Sequence, residues 1–240
     1  MSLNLLWYSC NESISEIKHS MYITTILDIT DQNKVLPDAE AIIKLYEFNS
    51  DKNIEAGFKI CTLTDKQLNP DKSLHLSDGS ITEKDNIQDD PSYREKLIVS
   101  FYDAIRKAVA DLITANKGVP PLHNSECFRT ISTEIQAMIN NHAEKNILLV
   151  FSDLQENSEL FNCYKKSNQE LLHKKPTQVS RIFEDAHLLP KDLRFIKIYF
   201  VFAPGNREED KMYMGMIEVY KKLLEPRGAT IIVQANNIYL

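Results

Sequence analysis

The sequence predicts an α/β protein: a doubly wound, mostly parallel sheet flanked by helices, with one antiparallel edge strand or hairpin. Three observations lead there. Short apolar runs at 22–27, 146–151, 195–202 and 230–233 are separated by segments of helical period. The runs at 147–151 and 198–202 are fully apolar, as strands buried on both faces at a sheet centre must be. The run at 57–64 alternates apolar and polar residues, and a turn signal at 69–72 separates it from a second short run at 73–77.

In chain order, Tyr22-Ile23-Thr24-Thr25-Ile26-Leu27 reads as the first strand and ends at Asp28-Ile29-Thr30-Asp31-Gln32. Pro37-Asp38-Ala39-Glu40 then opens a short helix, with proline suited to the first turn and acids suited to its positive end. Its buried face is Ile42, Ile43, Leu45, Tyr46 and Phe48. Residues 57–64 predict a half-exposed strand, and Ser73 to Ser77 the other half of an edge hairpin. The acidic stretch Asp78 to Ser92 reads as a solvated loop; it lacks the alternating ligands and sixth-position glycine of an EF-hand.

A long helix follows over 93–116, with Leu97, Phe101, Ile105, Val109 and Leu112 on one face. Lys117-Gly118-Val119-Pro120-Pro121 stops it. A second helix begins near Asn124-Ser125, either of which suits the N-cap, and buries Phe128, Ile131, Ile135, Met138 and Ile139. Asn146 to Phe151 is the clearest strand and ends at Ser152-Asp153. Helical and polar residues run from Ser158 past Ser180, interrupted by Pro176. Phe195 to Phe202 is a strand, Arg207 to Glu225 a helix burying Met212, Met216, Val219 and Leu223, and Thr230 to Val233 the last strand. Residues 1–20 read as an N-terminal segment and 21–240 as one domain.

Composition excludes several functions. A net charge of −6 and a pI near 5.6 leave no basic stripe for nucleic acid. Cys10, Cys61, Cys127 and Cys163 form no C-x-x-C pair, and the last three read as buried free thiols. The six glycines form neither G-x-G-x-x-G nor a Walker loop, and no G-x-S-x-G elbow occurs. The histidines never pair at metal-ligand spacing; His123 alone falls near the strand ends discussed below. Asp192 and Arg194 read as a structural ion pair at the opposite edge. Leu5-Leu6-Trp7-Tyr8-Ser9-Cys10 leaves two readings open: the tail of a bacterial lipoprotein signal ending at a lipidated cysteine, or an apolar segment packed on the domain. Localisation stays open with it: cytoplasmic by default, cell envelope if Cys10 carries a lipid, which is the one route to a membrane.

Two apolar strands end with the same chemistry, one at Leu27-Asp28-Ile29-Thr30 and the other at Phe151-Ser152-Asp153. If they are neighbours, Asp28, Thr30, Ser152 and Asp153 share one rim, and ligand sites in open α/β sheets form at carboxyl strand ends. Hard oxygen donors there suit a Mg²⁺ that keeps several waters. This arrangement resembles the von Willebrand factor A-like (vWA) domain, a Rossmann-like fold, over about Tyr22 to Val233.

The resemblance implies a metal-ion-dependent adhesion site with Asp28 and Thr30 at the first two motif positions and Asp153 as the aspartate of the central strand. Ser125 is the candidate loop hydroxyl, and Gln32 stands where the motif expects its second hydroxyl. It also implies a protein partner whose acidic residue completes the metal, with no organic cofactor and no catalysis. Gln32 makes the motif degenerate and leaves a metal-free scaffold open. The rival from another class is a metal-dependent hydrolase, phosphatase-like or nuclease-like, using Asp28 as nucleophile or ligand. No lysine or arginine lies within the Asp28 motif or beside Asp153 to meet a phosphate.

Overall fold

The computed structural model describes residues 20–30, 35–63, 71–77, 91–117 and 125–235. Among them a six-stranded sheet is built from β1 (Ser20–Asp28), β2 (Glu55–Leu63), β3 (Asp71–Leu76), β4 (Lys145–Phe151), β5 (Ile196–Val201) and β6 (Thr230–Gln234). The spatial order is β3-β2-β1-β4-β5-β6. Every pairing is parallel except β2 with β3, which is antiparallel. The predicted architecture is therefore present, edge hairpin included. Strands added after β1 move outward to one side and those after β4 to the other. The order thus reverses between β1 and β4, the place where doubly wound sheets open a crevice.

Side-chain alternation divides the sheet between two cores. Ile26, Cys61, Leu148, Val150, Ile198 and Phe200 face one helical layer, made by α3 (Cys127–Asn140), α4 (Lys166–Lys174), α5 (Pro176–Glu184) and α6 (Arg207–Leu224). Met21, Ile23, Leu27, Phe58, Ile60, Leu149, Phe151 and Val201 face the other, made by α1 (Ala39–Ile43) and α2 (Pro91–Asn116). Helix periodicity supplies the complementary stripes, such as Phe128, Ile131, Ile135 and Met138 on α3. Burying each such side chain contributes roughly 1.5–3 kcal/mol. No described helix is long and apolar enough to cross a membrane.

Several local expectations need correction. Strand β2 is not half-exposed: Cys61, Thr62 and Leu63 are all buried, because helices cover both faces of this interior strand. Asp71 and Lys72 belong to β3 rather than to a turn. Helix α2 starts at Pro91, inside the stretch expected to be loop, with proline at a helix start where its missing N–H costs nothing. Residues 158–165 are bends and turns with an isolated bridge at Asn162, so the helical region after β4 begins only at Lys166, and Pro176 opens α5 after α4 ends. The cap of α3 is neither Ser125 nor a residue with a capping side chain; it is Glu126, which makes no capping hydrogen bond. Asn124 lies outside the described residues.

Candidate functional site

Strands β1 and β4 are hydrogen-bonded neighbours with Leu27 opposite Phe151. Asp28 and Ser152 are the next residues on each strand, and both continue the parity of Ile26 and Val150, toward the α3 layer. They meet directly. The Ser152 hydroxyl donates to Asp28 Oδ2 at 2.5 Å. Asp28 Oδ1 accepts from the Thr30 amide at 2.9 Å and from the Thr30 hydroxyl at 2.6 Å. Asp28 is 3% exposed and Thr30 9%, so this knot lies at the lip of the sheet with little of it in solvent. An aspartate that binds the backbone two residues on is a turn-forming device, which explains why the strand stops there.

The segment after β4 is bent hard. Leu154 is fully buried with φ of 61°, an uncommon left-handed conformation for a bulky residue, and its amide donates to Ser152 Oγ at 2.9 Å. Asp153 turns onto its own chain: its oxygens accept from the Gln155 amide at 2.9 Å and from Gln155 Nε2 at 2.8 Å. Two residues before α3, Ser125 exchanges backbone hydrogen bonds with Asn157, at 3.3 and 2.8 Å. The Ser125 hydroxyl lies 3.0 Å from Cys127 Sγ. Burial first, then the carboxylates of Asp28 and Glu156, push the Cys127 thiol well above its ordinary range, and Asp153 adds to this.

The structure therefore brings Asp28 and Thr30 together with Ser152. Ser125 and Asp153 border the same region, gathered around the Cys127 thiol and each tied to its own neighbour. Gln32, like Asp31, Lys34, His123 and Cys10, lies outside the described residues. Among the described residues, no group of three or more His, Cys, Asp or Glu is arranged to hold a metal. The rim offers two carboxylates supplemented by hydroxyls. Thr30 spends its only hydroxyl proton on Asp28, which leaves the oxygen's lone pairs for a cation. The Ser152 oxygen keeps one, since it also accepts from Leu154. This donor set fits a hard cation that retains waters, and it fits no soft metal.

Two contributors escaped the sequence. Cys127 reads as an ordinary core thiol. Glu156, in the polar run Gln155-Glu156-Asn157-Ser158-Glu159, carries no signal at all, yet it is fully buried. Its Oε2 accepts from the Phe128 amide in the first turn of α3 at 2.8 Å, while Oε1 is buried without a partner. Burial raises its carboxyl to about 7, while the hydrogen bond from the Phe128 amide pulls the other way.

The chemistry of nucleophiles and phosphates finds little support. Burial raises all three described thiols, Cys163 to about 12, so none is poised as a thiolate. Helix N-termini at carboxyl strand ends are natural anion sites. Here the chain fills two of them itself. Glu156 takes the head of α3. At α6, Asn206 Oδ1 accepts from the Glu208 and Glu209 amides, both at 2.9 Å, and Glu209 Oε2 accepts from the Gly205 amide at 2.6 Å.

Larger hollows lie elsewhere. One of about 910 Å³ sits at the opposite end of the sheet, lined by Ser20, Asn146 and Phe195 among others. Another of about 390 Å³ lies between α3 and the edge hairpin, where Lys59 is paired with Glu134 at 2.9 Å and Asp71 at 3.1 Å. Size alone does not make either the functional site; the rim is where hydroxyls and carboxylates from separate strands converge. The expected Asp192–Arg194 ion pair forms beside the first hollow at 2.6 Å. Comparison with known proteins finds no family model matching this chain and no matching curated protein.

Proposed function

We propose that this chain is a vWA-like interaction module that engages another protein at the rim formed by the carboxyl ends of β1 and β4. The observation that carries the proposal is the hydrogen bond from Ser152 to Asp28, which joins the two strand ends at the reversal of strand order. In this reading Asp28, Thr30 and Asp153 hold a Mg²⁺, with Ser125 contributing. The cation supplies an open position for an acidic side chain of the partner. The occupied helix N-termini favour this reading over a phosphate-processing hydrolase.

A second reading rests on the same contacts. Both Asp28 oxygens already accept hydrogen bonds, so the motif also works as a metal-free brace of the binding surface. Calorimetry with Mg²⁺ on the native protein and on Asp28→Ala separates the two. Saturable heat in the native protein alone supports the metal; silence in both hands the rim to the metal-free form. Turnover of a generic phosphate ester that disappears in Asp28→Asn replaces both readings with the hydrolase.

A further inference from the structure

We infer that Glu156 is a positioning residue that locks the two arms of the rim together, holding the head of α3, which carries Ser125, against the segment after β4, which carries Asp153. The inference deepens the reading of the rim as the binding site and rests on it.

Helix α3 begins without a cap of its own. The side chain of Glu126, its N-cap residue, pairs with Arg129 at 2.6 Å and makes no capping hydrogen bond. The acceptor comes instead from a different segment, because Glu156 Oε2 binds the Phe128 amide at 2.8 Å. The same residue is anchored by its backbone, whose carbonyl accepts from the Cys163 amide at 2.8 Å. Its neighbour Asn157 then makes the two-way backbone bridge to Ser125. Glu156 thus makes two ties itself, to the helix head and to the turn that closes on Cys163, and stands next to the third, the Asn157 bridge.

The surroundings are poor for a carboxylate. Cys127 and Arg129 face it from α3, Tyr220 from α6, and Cys163 and Ser158 from its own segment, with Glu126 adding a like charge. Oε1 has no partner, and a small hollow of about 60 Å³ opens beside it. A solvated loop would be the cheap place for this side chain, since burying an incompletely paired carboxyl is costly. Its geometry is that of a clamp, in which one oxygen satisfies an otherwise orphaned helix amide.

The test reads amide hydrogen exchange by NMR in the full chain without added metal, comparing native protein, Glu156→Gln and Glu156→Ala. In Glu156→Ala, exchange at Ser125, Phe128 and Asn157 rises by about tenfold, the loss of roughly one hydrogen bond, while residues 147–150 of β4 stay protected. In Glu156→Gln the amide oxygen still accepts, and protection at all three sites is retained. Should Glu156→Ala fail to fold, Glu156→Asp, shorter by one methylene, carries the same expectation as the alanine. Unchanged protection in the truncated variants overturns the inference. So does equal loss in the glutamine variant, or a uniform loss across β1 and β4. A native protein that ignores Mg²⁺ counts against the metal reading alone, because exchange is measured without it.

Discussion

Replacing Glu156 by glutamine reshapes the pH dependence of stability by an amount the structure supplies. The carboxyl is fully buried and its pKa is raised from 4.5 to about 7, burial being the main cause. A raised carboxyl pKa means the folded state holds the proton more tightly than the unfolded chain. Below pH 4.5 both states are protonated, and the group's contribution is fully present. Between pH 4.5 and about 7 the unfolded chain ionises first, and stability falls by about 1.4 kcal/mol per pH unit. Across that window the loss sums to about 3 kcal/mol.

Glutamine keeps the acceptor for the Phe128 amide and removes the titration. Its extra N–H₂ group, buried where Oε1 has no partner, costs about 1–3 kcal/mol at every pH. The decisive quantity is therefore the slope rather than the offset. Urea unfolding at pH 4, 5, 6, 7 and 8 measures it. The native-minus-variant difference moves by about 3 kcal/mol over this range, in favour of the variant as pH rises. Parallel pH profiles refute the argument that a neutral carboxyl sits at the head of α3.

Other consequences follow from single contacts. Ser152→Ala removes the donor to Asp28 Oδ2 and the acceptor of the Leu154 amide, and lowers stability by about 1–3 kcal/mol in chemical denaturation. Gly57→Ala places a Cβ 2.2 Å from the Tyr22 ring, which lies flat over this glycine on the neighbouring strand; it lowers the thermal midpoint, and the double variant with Tyr22→Ala shows a favourable coupling energy. Gly228→Ala forces a side chain to φ of 97° against Arg194, and costs at least the 1 kcal/mol or so of left-handed backbone strain.

The sheet was legible because its central strands are covered on both faces and must be written as apolar runs; residues 147–151 and 198–202 could hardly serve elsewhere. The rim was legible only in halves. Asp28 and Ser152-Asp153 each stand at a strand end, but their adjacency depends on strand order, which no local pattern encodes. The missed elements share a cause. Thr62 in β2 looked exposed because periodicity records polarity, whereas burial there is imposed by distant helices. Glu156 carried no signal because its role is created by Phe128, 28 residues earlier in the chain. The start of α2 at Pro91 was hidden by the acidic composition of the residues before it.

Crystals soaked in Mn²⁺, used as an anomalous-scattering probe for Mg²⁺, show whether the rim of β1 and β4 holds a cation. An anomalous peak is expected at the rim beside Thr30 Oγ1, bounded by Asp28, Ser152 and Asp153, and is lost in Asp28→Ala. A peak that persists without the Asp28 carboxylate, or ordered Mn²⁺ bound only away from the ends of β1 and β4, contradicts a cation site at this rim.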